Sequence, residues 1–388
     1  MKQQCILTYT FLLYVLYLTI SGAAYGQKNR IGVQIKETPA DEQIDIAREL
    51  HTIYSRAPGV ETSNFNPNNK EFKPFWERGQ RFDIALNQYP TSDKGKPFAK
   101  NQKELNEWAA QVIKVMKAFD PKLPVNVSII NEELNQNYHS GPMSDYLKML
   151  DTAVKICHNY GCRATNGGMP EQVICQVVYR WYKFTLNDNK RANDWADQTM
   201  DDGAIKSANN YQEGSNIRRC DTLLDAYKDM DLDYINIHLY YPWDKDKGGK
   251  NPPNVIIPED AFKQIADVIY ARTGKHCVSN ETSIRHSNRD LLHNFLGAYS
   301  MGGWQYISFI SSFGGSAGEI SLIDEDGNLN DMGKAYRDFV DEYYNGPLIT
   351  ASAQVYSFKP LFILFLVLFI LALIYIIYEH GKKTTKKI

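Results

Sequence analysis

The sequence predicts an α/β protein built as an eight-stranded (β/α)8 barrel, and three observations lead to that prediction. Short apolar runs bounded by turn residues alternate with amphipathic helical segments along the 388-residue chain. Eight such units fit between Arg30 and about Tyr344, a length that suits this barrel. Strict alternation predicts a parallel sheet. The rival is a doubly wound open sheet, but no GxGxxG motif follows the first strand to provide its usual nucleotide site.

The predicted strands are short apolar runs. Val60–Thr62 is the weakest of them and Phe82–Leu86 is among the clearest. In chain order the eight strands are Ile31–Ile35, Val60–Thr62, Phe82–Leu86, Val125–Ile130, Cys162–Asn166, Tyr234–Tyr240, His276–Glu281 and Trp304–Ile310.

The helices are predicted from apolar residues that recur at three- and four-residue spacing. In the first helix, Ile44, Ala47 and Leu50 lie nearly on one face. A long insertion, Pro170–Met230, contains a further helix with a clear apolar side. The other predicted helices are Asp41–Tyr54, Leu105–Phe119, Met143–Tyr160, Asp260–Ala271, Asn288–Tyr299 and Met332–Tyr344.

Both ends of the chain carry apolar blocks that predict membrane targeting. A charged start, the apolar stretch Cys5–Ile20 and the small residues after it are typical of a secretory signal peptide over residues 1–26. The alternative is an uncleaved anchor helix. Leu361–Tyr378 contains no charge and extends for about 27 Å as a helix, so it predicts a transmembrane helix rather than a buried core helix.

The domain organisation follows from these two blocks. The barrel domain is residues 27–345, a tether is residues 346–360, and the basic tail is residues 379–388. The positive-inside rule places that tail in the cytoplasm. We therefore predict a single-pass membrane protein whose barrel faces the periplasm, the cell surface or a lumen. The lipid bilayer is a predicted partner through Leu361–Tyr378, and the oligomeric state stays open.

Composition excludes several classes of protein. Lys and Arg total 43 and Asp and Glu total 45, so the net charge is −2 and a nucleic-acid partner is not expected. Hydrophobic residues at 43% and charged residues at 23% are typical of a globular chain.

Cysteine usage leaves the disulfide pattern open. Beyond the signal peptide, five cysteines remain, and Cys157–Cys162 and Cys175–Cys220 are candidate bridges that spacing alone does not establish. No CxxC or HExxH motif occurs, so we predict no metal and no cofactor.

Alternation of side chains along the strands points polar residues into the barrel. On strand seven, the rule places Cys277, Ser279 and Glu281 inward and Val278 outward. Polar groups in a lumen are costly unless they are bonded to one another, so their presence favours a functional site at the carboxyl ends of the strands. The residues that alternation aims at this mouth are Asn87, Glu132, His238, Tyr240 and Glu281.

Glu132 and Glu281 are predicted to face each other across the mouth, from the tops of strands four and seven. Double-displacement sugar hydrolysis uses two carboxyl groups about 5–5.5 Å apart, one as acid and one as nucleophile. Glu133 competes with Glu132, but alternation points it away, and Glu37 is a further candidate at the end of strand one. The structural alternative makes Glu132 an exposed loop residue and Glu281 a helix cap.

Three short runs resemble strands of clan A glycoside hydrolases. VNVSIINEE resembles their fourth strand, INIHLYYPW their sixth and HCVSNETS their seventh. The resemblance covers Arg30 to about Tyr344. It implies a retaining (β/α)8 glycosidase that needs no cofactor, with Glu132 as acid/base and Glu281 as nucleophile.

The resemblance also implies roles for neighbouring residues. Asn131 would bind the substrate 2-hydroxyl, and Tyr240, or less favourably His238, would hydrogen-bond Glu281. Aromatic side chains near the mouth are candidate platforms for sugar rings. The complete set of predicted substrate-binding residues is Asn87, Asn131, Tyr138, His238, Tyr240, Tyr241, Trp243 and Phe313.

The sequence departs from the clan pattern in three places. No Arg occurs near Val60–Asn64, where strand two is predicted to end; Phe313 stands in for the usual Trp after strand eight; and Glu133 replaces a Pro. We predict a membrane-anchored hydrolase of β-linked oligo- or polysaccharides. The alternatives are an inactive glycan-binding barrel and a surface interaction protein that uses Pro170–Met230.

Overall fold

Eight parallel strands form a barrel in the computed structural model, which describes residues 31–36, 38–52, 54–66, 71–89, 95–120, 124–241, 260–285, 287–312 and 320–345. The strands are β1 (Ile31–Lys36), β2 (Tyr54–Arg56), β3 (Arg81–Asn87), β4 (Asn126–Ile129), β5 (Arg163–Asn166), β6 (Ile235–Tyr241), β7 (Cys277–Ile284) and β8 (Ile307–Ser312).

Consecutive strands pair side by side around the barrel, and β8 pairs with β1. The remaining gap lies between β5 and β6. A bridge from Thr165 to Tyr234 and the pairing of Ile237 with Met169 of the short strand Met169–Pro170 bring these two edges together. The predicted parallel (β/α)8 architecture is confirmed.

Helices surround the sheet, and six of them begin with a side-chain cap. At the start of the third helix, the Asn101 side chain accepts a hydrogen bond from the Glu104 backbone N–H at 3.0 Å, which satisfies one of the free donors of the first turn. The helices are α1 (Ala40–Glu49), α2 (Lys73–Glu77), α3 (Gln102–Phe119), α4 (Met143–Asn159), α5 (Glu171–Arg180), α6 (Asn189–Thr199), α7 (Asp202–Asn210), α8 (Asn216–Tyr227), α9 (Ala261–Thr273), α10 (Arg289–Met301) and α11 (Asp331–Val340).

The core lies between the sheet and the helices. The outward side chains of β6, Ile235, Ile237 and Leu239, are completely buried there, as alternation predicts. Burying each aliphatic side chain of this size contributes about 1.5–3 kcal/mol before entropy is counted. The insertion adds α5 to α8 to the same layer, where Trp195 Nε1 donates to the Cys175 carbonyl at 2.9 Å.

Strand two differs from its prediction. Helix α1 ends at Glu49 because His51 takes a left-handed backbone conformation (φ 58°), which is a common way to stop a helix. Tyr54–Arg56 then pairs with both β1 and β3, whereas Val60–Glu61 pairs only with the end of β3. The prediction that Val60–Thr62 forms the second strand of the barrel is therefore wrong.

Strand seven also differs from strict alternation. The pairing register with β8 shifts between Ser279 and Thr282, which marks a bulge. Asn280 consequently faces the lumen, where it donates to Ser128 at 2.7 Å, and Glu281 faces the lumen as well. Cys277 belongs to the hydrophobic cluster instead, so the inward direction predicted for it is wrong.

The candidate disulfides are not formed. The cysteines of the described residues are buried thiols outside any disulfide, and burial raises the pKa of Cys162 to about 12, which keeps its thiol protonated. The residues concerned are Cys157, Cys162, Cys175, Cys220 and Cys277.

The predicted single-pass membrane location is contradicted and must be corrected. No helix in the described part of the chain is both long enough and apolar enough to cross a bilayer. Residues 1–26, predicted as a signal peptide, and Leu361–Tyr378, predicted as a transmembrane helix, lie outside the described residues, as do the tether and the basic tail.

Candidate active site

Two glutamates and a histidine meet at the mouth of the barrel. One carboxylate oxygen each from Glu132 and Glu281 and one ring nitrogen of His238 all lie within 4.8 Å of one another. The side chains of Glu132 and Glu281 are 21% and 15% exposed, while that of His238 is 1% exposed. The strands therefore bring together the two carboxyl groups that are 149 residues apart in the chain.

Both oxygens of Glu281 accept short hydrogen bonds. Arg56 Nη1 donates to Oε2 at 2.5 Å, and the Tyr240 hydroxyl donates to Oε1 at 2.5 Å. Burial alone would raise the pKa of Glu281, but the charge of Arg56, together with His238 and the Tyr240 hydroxyl, holds that pKa well below its ordinary value. Glu281 is therefore ionised at neutral pH.

Arg56 is the site residue that the sequence analysis missed. It ends β2, and its guanidinium also donates to the Asn280 carbonyl at 3.1 Å and to Asn131 Oδ1 at 3.3 Å. The sequence pattern places strand two at Val60–Thr62 and so predicts its terminal Arg near Val60–Asn64. The strand is instead Tyr54–Arg56, and Arg56 stands at its end.

Glu132 lies in the loop after β4, where the backbone turns sharply. Ile130 and Glu132 have left-handed φ angles of 63° and 51°, conformations that cost energy for residues with a side chain. Glu132 Oε2 accepts from Asn135 Nδ2 at 2.8 Å, and Oε1 lies 3.4 Å from His238 Nδ1. Burial raises the pKa of Glu132, but the hydrogen bond and charge of His238 outweigh it and leave the pKa lowered.

Asn87 and Asn131 are joined by a hydrogen bond. Asn87 Oδ1 accepts from the Asn131 backbone N–H at 2.8 Å, and the Asn87 side chain is buried. Asn87 therefore fixes the loop that carries Asn131 and Glu132. The Asn131 carbonyl lies 2.9 Å from His139 Nε2, which holds the loop from its outer side.

The aromatic residues predicted around the mouth are only partly described. Tyr138 is half-buried and packs edge-on against His139, with ring centroids 6.3 Å apart. Burial and the charges of Glu132 and Glu281 raise the pKa of Tyr138, which places it beside the carboxyl pair. Tyr241 ends β6, but its side chain lies outside the described residues, as do Trp243, Phe313 and the candidate Glu37.

Glu133 points away from the mouth, as alternation predicts. Its Oε1 accepts from Asn166 Nδ2 at 2.8 Å and from the Tyr227 hydroxyl at 3.1 Å, and the side chain is completely buried. Burial raises the pKa of Glu133. Through the Tyr227 hydroxyl, Glu133 links the lumen to helix α8.

The cluster of Glu132, His238 and Glu281 is also a set of donors that suits a divalent cation. Arg56 already supplies a positive charge 2.5 Å from Glu281, and a metal ion would have to share that carboxylate with it.

A separate cavity of about 300 Å³ lies among helices α5 and α7, lined by Glu171, Gln176, Met200 and Ser207 among others.

No family model matches the chain, and no curated protein matches it. Several solved structures, however, are similar to the chain. A family 39 glycoside hydrolase from the gut symbiont Bacteroides cellulosilyticus is 14% identical with a TM-score of 0.53, over 82% of this chain and 64% of that one. A family 128 endo-β-1,3-glucanase from Sorangium cellulosum is 13% identical with a TM-score of 0.46, over 79% and 97%.

A further structure, an endo-β-1,3-glucanase of family 128 from Amycolatopsis mediterranei in complex with laminaripentaose, is 11% identical with a TM-score of 0.42, over 80% of this chain and 98% of that one. At such identities a likeness establishes the fold alone. The chain thus has a (β/α)8 barrel fold like that of the family 39 hydrolase, without assignment to a family.

Proposed function

We propose that this chain is a retaining glycoside hydrolase that cleaves β-linked oligo- or polysaccharides. The observation that carries the proposal is the pair of carboxyl groups, whose nearest oxygens lie within 4.8 Å at the mouth of the barrel. Retaining enzymes hold their carboxyl groups about 5–5.5 Å apart, whereas inverting enzymes keep about 6.5–9.5 Å for a water molecule. The separation supports double displacement.

The surroundings of the two glutamates support different roles for them. Glu281 is ionised and held by Arg56 and Tyr240, so it serves as the nucleophile that attacks the anomeric carbon. Glu132 has no cation of that kind beside it and contacts His238 and Asn135, so it serves as the acid that protonates the leaving oxygen and then as the base that activates water.

Asn131 precedes Glu132 in the chain and contacts Arg56, the partner of Glu281, which supports a binding role. Its Oδ1 accepts from Arg56 at 3.3 Å, which orients the amide. We assign its Nδ2 donor to the substrate 2-hydroxyl, a contact that strengthens in the transition state. Among the predicted aromatic platforms, Tyr138 is the described residue beside the pair.

Arg56 favours an enzyme over a glycan-binding barrel. The binding alternative was motivated in part by the missing Arg at strand two, and Arg56 fills that position. A buried guanidinium bonded to a carboxylate keeps that carboxylate ionised, which a nucleophile requires and simple binding does not.

The test is hydrolysis of a panel of β-linked glycans by the wild type and by the Glu281→Gln and Glu132→Gln variants. Each variant should lose at least about a hundredfold in rate. Glu107→Gln is the matched control, because Glu107 also follows an Asn but lies exposed on α3, and it should retain full rate. A wild type that cleaves no glycan, or a glutamine variant at full rate, would refute the proposal.

Two further measurements test the mechanism. NMR of the first-formed product should show the anomeric configuration of the substrate. An activated 2-fluoro glycoside should trap a covalent adduct that peptide mass spectrometry locates on Glu281. An inverted product, or an adduct on another residue, would contradict the assigned roles.

A further inference from the structure

The protonation of the His238 ring can be read from a chain of amides that starts at a backbone donor. The Asn280 backbone N–H donates to Asn236 Oδ1 at 3.0 Å, which identifies the other amide atom of Asn236 as the donor Nδ2. That Nδ2 donates to Asn280 Oδ1 at 2.7 Å. His238 Nε2 lies 3.0 Å from the same oxygen and must therefore carry a hydrogen.

The other ring nitrogen faces carboxylates. His238 Nδ1 lies 3.4 Å from Glu132 Oε1 and 3.9 Å from Glu281 Oε2. With hydrogen on Nε2, a neutral ring has a lone pair at Nδ1, and a lone pair that faces an ionised carboxylate is repelled. A proton between the two atoms removes the conflict. Glu281 Oε2 already accepts from Arg56, so the proton belongs with Glu132.

We propose that His238 Nδ1 and Glu132 Oε1 share one proton in the resting protein, and that this is the proton delivered to the glycosidic oxygen. The inference rests on the proposed function and adds a proton partner to its general acid. His238 is a positioning residue in this scheme, because it acts on the substrate through Glu132.

The charges around His238 agree with this assignment. Burial lowers the pKa of His238, but Glu281 and Glu132 raise it by more, while Arg56 opposes them. Glu133 also lies near, and burial raises its pKa. The proton therefore stays with the pair to a higher pH than an isolated glutamic acid would hold it.

The proton is conserved through the reaction. In the first step it moves to the glycosidic oxygen as the bond from the anomeric carbon to that oxygen breaks, while Glu281 forms a bond to the anomeric carbon. In the second step a water oxygen bonds to that carbon, the bond to Glu281 breaks, and the water proton returns to the Glu132–His238 pair. The pair ends with the one proton with which it began.

The test is a His238→Gln variant assayed with aryl glycosides of the sugar that the wild type cleaves, using good and poor leaving groups. At pH 7, kcat/KM should fall about a hundredfold for poor leaving groups and less than about threefold for good ones, which need no acid. The alkaline limb of the pH profile should move about 2 pH units lower, because Glu132 would titrate alone.

Two control variants make the comparison specific. His158→Gln makes the same change at a histidine on α4 that pairs with Asp231 and Asp233, and it should leave the kinetics unchanged. Tyr240→Phe removes a donor to Glu281 and leaves the Glu132–His238 contact in place, so it should slow all leaving groups alike without moving the alkaline limb. ¹⁵N NMR of histidine in the wild type adds a measurement that needs no variant, and His238 Nδ1 should appear protonated or hydrogen-bonded at pH 7.

The outcomes separate this inference from the proposed function. A His238→Gln variant that slows all leaving groups equally, with an unmoved alkaline limb, overturns the shared proton, and so does a free Nδ1 lone pair in the wild-type spectrum. Glu132→Ala should show strong dependence on the leaving group whether or not His238 takes part. If Glu132→Ala shows none, the proposed function fails as well.

Discussion

Asp83 offers a sharp test of the electrostatics in the lumen. It is completely buried on β3, its Oδ1 accepts from the Tyr306 hydroxyl at 2.5 Å, and it pairs in register with Arg56. Burial raises the pKa of Asp83 from 3.8 to about 7, against the opposing effects of Tyr306 and Arg56. At 1.36 kcal/mol per pH unit, that difference corresponds to about 4 kcal/mol.

Whether the free energy of unfolding rises or falls with pH depends on which state, folded or unfolded, binds this proton more tightly. The folded chain binds this proton more tightly than the unfolded chain, so Asp83 lowers the free energy of unfolding as pH rises from about 4 to about 7, and the loss is complete above pH 7. An Asp83→Asn variant keeps the acceptor for Tyr306 and cannot ionise. We expect it to match the wild type near pH 4 and to exceed it by about 4 kcal/mol at pH 8.

The assay is urea unfolding of both proteins at intervals from pH 4 to pH 8, because subtracting the two curves cancels the other titrating groups. The exposed Asp229 provides a matched control, since Asp229→Asn should give a difference that is small and independent of pH. A flat difference for Asp83→Asn across this range, or a variant less stable than the wild type at pH 8, would refute the reasoning.

Two further predictions concern residues beside the carboxyl pair. Gly168→Ala would place a Cβ 2.0 Å from His238 Nε2 at a φ of +122°, so we expect a loss of about 1–3 kcal/mol in thermal unfolding and at least a tenfold loss in kcat/KM; unchanged melting and rate would contradict this. Glu133→Gln keeps an amide oxygen that can accept from Asn166 and Tyr227, so rates at pH 7 should stay within about threefold and stability within about 1 kcal/mol, measured by glycan hydrolysis and urea unfolding. A hundredfold loss of rate in that variant would instead make Glu133 the acid.

Strand alternation predicts which side chains of the regular strands face the lumen. It held wherever strands are regular: Asn236, His238 and Tyr240 face the lumen along β6, and Asn87 does so at the end of β3. The reason is local, because successive side chains of any extended strand point to opposite faces.

Alternation failed where the backbone is irregular. The bulge in β7 turns both Asn280 and Glu281 inward, and two left-handed residues after β4 set the direction of Glu132. Glu281 was still placed correctly, because the bulge compensated for a reversed assignment of Cys277 and Ser279. Bulges depend on pairing with the neighbouring strand, so the sequence of one strand does not reveal them.

Strand β2 shows a second reason why the sequence predicts the barrel incompletely. The predicted first helix, Asp41–Tyr54, extends into the start of this strand, and only three residues form the strand. Its identity comes from hydrogen bonds to β1 and β3. The short strand therefore does not reveal Arg56, although Arg56 contacts Glu281 at 2.5 Å, as Tyr240 does.

By itself, the sequence determined seven of the eight barrel strands in their order, the parallel barrel and the two glutamates with Tyr240 at its mouth. Periodicity and turn residues are properties of short segments, so they are readable without a structure. Only the tertiary structure decided that Arg56 neutralises Glu281 and that Glu132 faces His238. Those contacts join residues 225 and 106 positions apart, and the free energy of a charge depends on what lies within a few ångströms of it in space.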